Sequence, residues 1–126
     1  MKRTISTPNA PAAIGPYSQA IEANGTLYVS GQIPIVPQTG VIAEGGIEEQ
    51  TKQALKNIEA ILTAAGYTFA DVVKTTCLLA NISDFSQFNT IYEKYFGTQD
   101  APARATFAVK ALPKNALIEI EVIATK

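Results

Sequence analysis

Residues 47–65 read Ile47-Glu48-Glu49-Gln50-Thr51-Lys52-Gln53-Ala54-Leu55-Lys56-Asn57-Ile58-Glu59-Ala60-Ile61-Leu62-Thr63-Ala64-Ala65. Ile47, Thr51, Ala54, Leu55, Ile58, Ile61, Leu62 and Ala65 recur at spacings of three and four. Glu48, Glu49, Lys52, Lys56 and Glu59 fall largely between them. That period predicts an amphipathic helix of about five turns. Glu48 and Glu49 suit its first turn, where the helix dipole favours negative charge. Gly66 suits a left-handed stop.

The period changes on both sides of this stretch. Upstream, Gln19–Ala23 and Thr26–Ser30 read as strands around Asn24-Gly25, a pair suited to the positive φ of a type I′ turn. Pro8, Pro11, Gly15 and Pro16 make residues 8–16 irregular, and Pro34, Pro37, Gly40, Gly45 and Gly46 do the same up to residue 46. Downstream, Val72–Asn81 reads as a strand rich in β-branched residues. A second helix starts at Ser83 or Asp84, carries Phe85, Phe88, Ile91, Tyr92 and Tyr95 on one face, and ends at Gly97. Strands Arg104–Lys110 and Leu117–Thr125 close the chain around Pro113-Lys114-Asn115. The order ββαβαββ predicts an α+β layer fold, one mixed sheet with two helices on one face. Both sides of the last strand carry apolar residues, which argues for a homo-oligomer that covers the other face.

The 126 residues suit one domain, 1–126. Ten basic and eleven acidic residues leave a net charge of -1, so nothing draws the chain to nucleic acid or an anionic membrane surface. No apolar run approaches the ~18 residues of a membrane span, and no signal-like run follows Met1-Lys2-Arg3-Thr4. The expected setting is cytoplasmic. Histidine is absent, which removes any His base, His metal ligand or Ser-His-Asp triad from this chain. Cys77 is the single cysteine, expected in the core rather than as a nucleophile. No phosphate-cradling or metal-ligand motif occurs, so no cofactor and no metal are implied.

The residues that stand out are charges in apolar strands. Arg104 is one of only two arginines and lies in Ala101-Pro102-Ala103-Arg104-Ala105-Thr106-Phe107. Its planar fork suits a carboxylate or phosphate; a structural ion pair or a solvent-facing charge is the plainer alternative. Glu119 and Glu121 share one side of their strand. Burial would raise a carboxyl pKa there and make it a proton-transfer candidate, whereas solvent exposure would leave it idle. Paired as a hairpin, the last two strands could set Arg104, Thr106 and Glu119 on one face. Tyr17 follows a rigid Pro/Gly segment and offers a hydroxyl or merely a ring. Ser30-Gly31 offers a hydroxyl and approachable backbone, and Asn89 reads as an ordinary helix-surface residue.

Pro102-Ala103-Arg104-Ala105-Thr106-Phe107, then Ile118-Glu119-Ile120-Glu121-Val122-Ile123-Ala124, resembles the C-terminal signature of the Rid (YjgF-like) family. Ala13-Ile14-Gly15-Pro16-Tyr17-Ser18-Gln19-Ala20 and Ser30-Gly31-Gln32-Ile33-Pro34 resemble its N-terminal motifs. Val73-Lys74-Thr75-Thr76 and Phe88-Asn89-Thr90-Ile91-Tyr92 fit its middle. The likeness spans the chain and is closest to the archetypal RidA subgroup. It implies a chorismate-mutase-like fold, a homotrimer around a central barrel, and ligand clefts between subunits. The implied activity is hydrolysis of 2-imino acids or their enamine tautomers to 2-keto acids and ammonia. In that reading Arg104 clamps the substrate carboxylate and Glu119 handles water and protons, while Tyr17, Ser30, Gly31, Asn89 and Thr106 line the cleft. One departure stands out: Thr106 occupies a position where many archetypal members have Cys, so a thiol-dependent role cannot operate there. The competing readings are a carboxylate-binding regulatory or chaperone-like module without turnover, and an endoribonuclease or translation inhibitor. The second lacks a histidine and a basic stripe.

Overall fold

A computed structural model describes residues 1–126. The elements are β1 (Lys2–Ile5), β2 (Ala20–Ala23), β3 (Thr26–Gln32), α1 (Ile47–Ala65), β4 (Val72–Leu79), α2 (Phe85–Phe96), β5 (Ala103–Ala108) and β6 (Ile118–Thr125). The six strands form one sheet in the order β1-β2-β3-β6-β4-β5. Only β4 and β5 run parallel, joined through α2; all other pairs are antiparallel. The sheet is therefore mixed and the class α+β, as the element order predicts.

Local chemistry explains most of these boundaries. Asn24 and Gly25 take φ of 53° and 75°, the left-handed pair that the tight β2–β3 turn requires. Gly66 ends α1 at φ 86° and donates its N–H back to the last turn. A single helical turn, residues 82–84, leads into α2. Asp84 holds the cap position, but its side chain makes no capping hydrogen bond.

The core lies between the sheet and the helices. Ile118, Ile120, Val122 and Ala124 of β6 turn inward and are essentially unexposed, against Leu55, Ile58, Ile61 and Leu62 of α1 and Phe88 and Ile91 of α2. Cys77 is wholly buried in this layer, and burial pushes its thiol up to about 11. The opposite face of the sheet has no helix. It carries Ile21, Leu78 and Ile123 half-buried, and exposes Tyr28 by 51% and Phe107 by 49%.

Two expectations need correction. There are six strands, not five: Lys2–Ile5 adds an edge strand to β2. The last two strands also do not pair as a hairpin, because β4 lies between β5 and β6. Burial gives the reason. β6 buries every second side chain and takes the centre, whereas β5 is short, with Ala103, Arg104, Phe107 and Ala108 exposed, and takes the edge.

Candidate active site

The strand order separates the two residues that sequence put first. Arg104 is in register with Thr75 of β4 and Thr106 with Cys77, so both lie on the helix side of the sheet. Glu119 is in register with Leu78 and alternates with buried Ile118 and Ile120, so it lies on the open side. Arg104 and Thr106 therefore do not share a face with Glu119 in one chain. Each belongs to its own cleft.

Glu119 stands at the floor of a cleft of about 420 Å³ walled by Tyr17, Ile14, Ile33, Ile35 and Lys114. Gly31 backs it, where the β3–β6 register shifts between Val29 and Gln32. A Cβ on Gly31 would run into Glu119 Oε2 and stand 2.9 Å from its Cδ. The carboxylate fills the space that a side chain at position 31 would take. Burial raises the Glu119 carboxyl above its ordinary value, and the nearby Glu121 charge adds to the effect. A carboxyl so placed gives up and regains a proton closer to neutrality than a solvated one.

Buried amides frame this cleft. Gln19 Oε1 accepts from Thr7 N–H at 2.7 Å, and its Nε2 donates to Thr7 O at 3.1 Å and Pro11 O at 2.8 Å. Asn57 Nδ2 donates to Ile35 O at 2.9 Å and Ile33 O at 3.3 Å. These side chains replace the strand partners that the irregular segments lack. Sequence reading passed over both; the one signal was an amide on the apolar side of an otherwise regular period.

Arg104 lies in the second cleft, about 440 Å³, beside Asn89, Tyr92, Glu93 and Pro102. Its Nη1 donates to Asn89 Oδ1 at 2.7 Å. Neither of the chain's two ion pairs, Arg3–Glu22 and Lys52–Glu49, involves it. The guanidinium is exposed and has no carboxylate partner within the chain. Asn89 is thus an arginine ligand rather than a plain surface residue. Thr106 Oγ1, two residues along β5, is buried with no hydrogen-bond partner.

Ser30 belongs to neither cleft. Its Oγ donates to Ser18 O at 2.6 Å, beside a hollow shared with Tyr28 and Glu121. No three Cys, Asp or Glu side chains cluster as a metal site requires. No helix is long and apolar enough to cross a membrane.

Residues 7–126 match the family described as Endoribonuclease L-PSP. A human protein named 2-iminobutanoate/2-iminopropanoate deaminase is 54% identical over 98% of this chain and 90% of its own length. A RutC family protein of Pyrococcus horikoshii is 54% identical over 100% of this chain and 99% of its own. The crystal structure of YyfA, a Rid family protein from Yersinia pestis, superposes with a TM-score of 0.97 at 58% identity and covers 100% of both chains. Motifs, fold and near-complete alignment agree, and the chain belongs to the Endoribonuclease L-PSP family, the group of YjgF/Rid proteins.

Proposed function

We propose that residues 1–126 form one Rid-type domain that hydrolyses 2-imino acids, or their 2-enamino tautomers, to 2-keto acids and ammonia. The observation that carries this reading is an arginine fork without an internal carboxylate partner, in a chain 54% identical to a protein named 2-iminobutanoate/2-iminopropanoate deaminase. Arg104 binds the substrate carboxylate through charge-assisted hydrogen bonds. Glu119 takes a proton from water as the oxygen bonds to the imine carbon, and returns it to nitrogen. The O–H proton of the resulting carbinolamine then passes through Glu119 to nitrogen as the C–N bond breaks and the C=O bond forms, and ammonia leaves. Tyr17 and Gly31 wall the Glu119 side and Asn89 the Arg104 side, with Thr106 buried two residues along the same strand. Ser30 holds the strand end through Ser18.

Because the two clefts open on opposite faces of one sheet, the reading requires a second copy. A homotrimer that packs the open sheet faces inward would cover Tyr28 and Phe107 and bring Arg104 of one subunit near Glu119 of its neighbour. No nucleic acid, membrane or cofactor enters the reaction, and the setting is cytoplasmic. An endoribonuclease role has less support, since the chain has no histidine and a net charge of -1.

The test is a coupled assay in which a PLP-dependent threonine dehydratase supplies 2-iminobutanoate and keto-acid formation is followed. Addition of the protein accelerates release, and Arg104→Ala abolishes the acceleration. Acceleration that survives Arg104→Ala would discard the clamp. No acceleration by a folded assembly would discard the enzyme and favour a carboxylate-binding module.

A further inference from the structure

Phe85, Phe88, Asn89 and Tyr92 follow one another along α2 at spacings of three, one and three. They therefore share one helix face, and that face meets Arg104. The guanidinium carbon lies 4.7 Å from the Tyr92 ring centroid, 5.5 Å from Phe85 and 5.9 Å from Phe88. Tyr92 is tied down at its far end, where its hydroxyl and Thr75 Oγ1 form a buried 2.8 Å hydrogen bond. Thr75 is the β4 residue in register with Arg104. The ring is thus anchored to the neighbouring strand at the level of the arginine it supports.

The choice of rings has a chemical consequence. A carboxylate partner would orient a guanidinium, but would also neutralise it and occupy its fork. An aromatic face attracts the cation and takes none of its five N–H donors. Asn89 takes one donor and carries no charge. The arginine keeps its full charge and most of its donors for an incoming anion.

We propose that Tyr92, tied to Thr75 and flanked by Phe85 and Phe88, is a positioning residue that aims the Arg104 fork at the substrate carboxylate. The inference rests on the carboxylate-clamp reading above. It is tested with Tyr92→Phe, which keeps the π face, Tyr92→Leu, which removes it, and Phe85→Leu at a half-buried ring where folding is less at risk. Tyr92→Leu raises KM for the imino acid about three- to tenfold with kcat changed much less, the range expected for a lost cation–π contact. It weakens 2-ketobutyrate binding, measured by calorimetry, by the same factor. Tyr92→Phe keeps the π face but loses the Thr75 tie and falls between the parent and Tyr92→Leu, and Phe85→Leu shifts both readouts in the direction of Tyr92→Leu.

Unchanged KM and unchanged keto-acid binding in Tyr92→Leu, with only a lower melting temperature, would overturn the proposal. So would Tyr92→Phe losing as much as Tyr92→Leu. The binding arm separates this idea from the enzymatic one. A parent protein that binds 2-ketobutyrate but does not hydrolyse imine removes the deaminase reading, and the binding ratios then decide the platform alone. A parent that does neither overturns both.

Discussion

Glu119 has the space it needs only because position 31 lacks a side chain. Gly31→Ala would push the carboxylate out of its place, since the added carbon would meet Oε2 and stand 2.9 Å from Cδ. A misplacement of about 1 Å costs roughly 100-fold in rate, so we expect a loss of that order in kcat, with a melting temperature near that of the parent. A second expectation concerns pH. The Glu119 carboxyl titrates above its ordinary value of 4.5 because burial and Glu121 disfavour its charged form. As the acting base it must be ionised, so kcat/KM falls on the acid side with a midpoint above 4.5. In Glu119→Gln that limb disappears together with most of the activity. Arg104 and Glu119 stood out in the sequence because each interrupts a run of small or apolar residues. Their faces were not legible. Alternation assigns sides within one strand, but only the strand order relates one strand's sides to those of another.

Between residue and molecule, α1 was the most readable element, because 19 residues of steady period leave little choice. β1 was unreadable. Its four residues include two charges and show no alternation, and it persists through pairing with β2 and the Arg3–Glu22 contact at 2.9 Å. The β5–β6 arrangement was misread because neighbours in sequence usually pair in space, whereas here the parallel crossover through α2 occupies the edge beyond β4. Loops too are held by particular residues. Asn57→Ala removes the donors to Ile33 O and Ile35 O. Ile33 O keeps the N–H of Ile35 at 2.8 Å, but Ile35 O is left unpaired at a cost of about 1–3 kcal/mol, read as a lower denaturant midpoint. The end of α1 responds to alkali. Tyr67 O–H donates to Glu22 Oε2 at 2.6 Å, and this bond, then burial, raises the phenol from 10.0 to about 12. Folding thus favours the neutral phenol. The contribution is complete below pH 10.0 and is lost as pH rises towards about 12. Tyr67→Phe removes that alkaline dependence, as thermal melts across the interval will record.

On the scale of the whole molecule, a sheet with helices on one side leaves half its area in water. Phe107→Glu sets charge on that exposed face, and sedimentation is expected to show dissociation of the assembly together with loss of turnover. Complementation is the sharper measurement. Arg104→Ala and Glu119→Gln chains, each inactive alone, are unfolded together and refolded as a mixture. Activity returns if the two residues act from different subunits, because some clefts then draw both intact groups. It stays absent if both act from the same chain. The lone thiol offers a different use of the same architecture. Cys77 sits mid-strand in β4, wholly buried and with its thiol pushed up to about 11. A thiol reagent reaches it only when the sheet parts from the helices. Its labelling rate is therefore a clock for native-state opening, already installed in the unmodified protein, with no second cysteine to confuse the count.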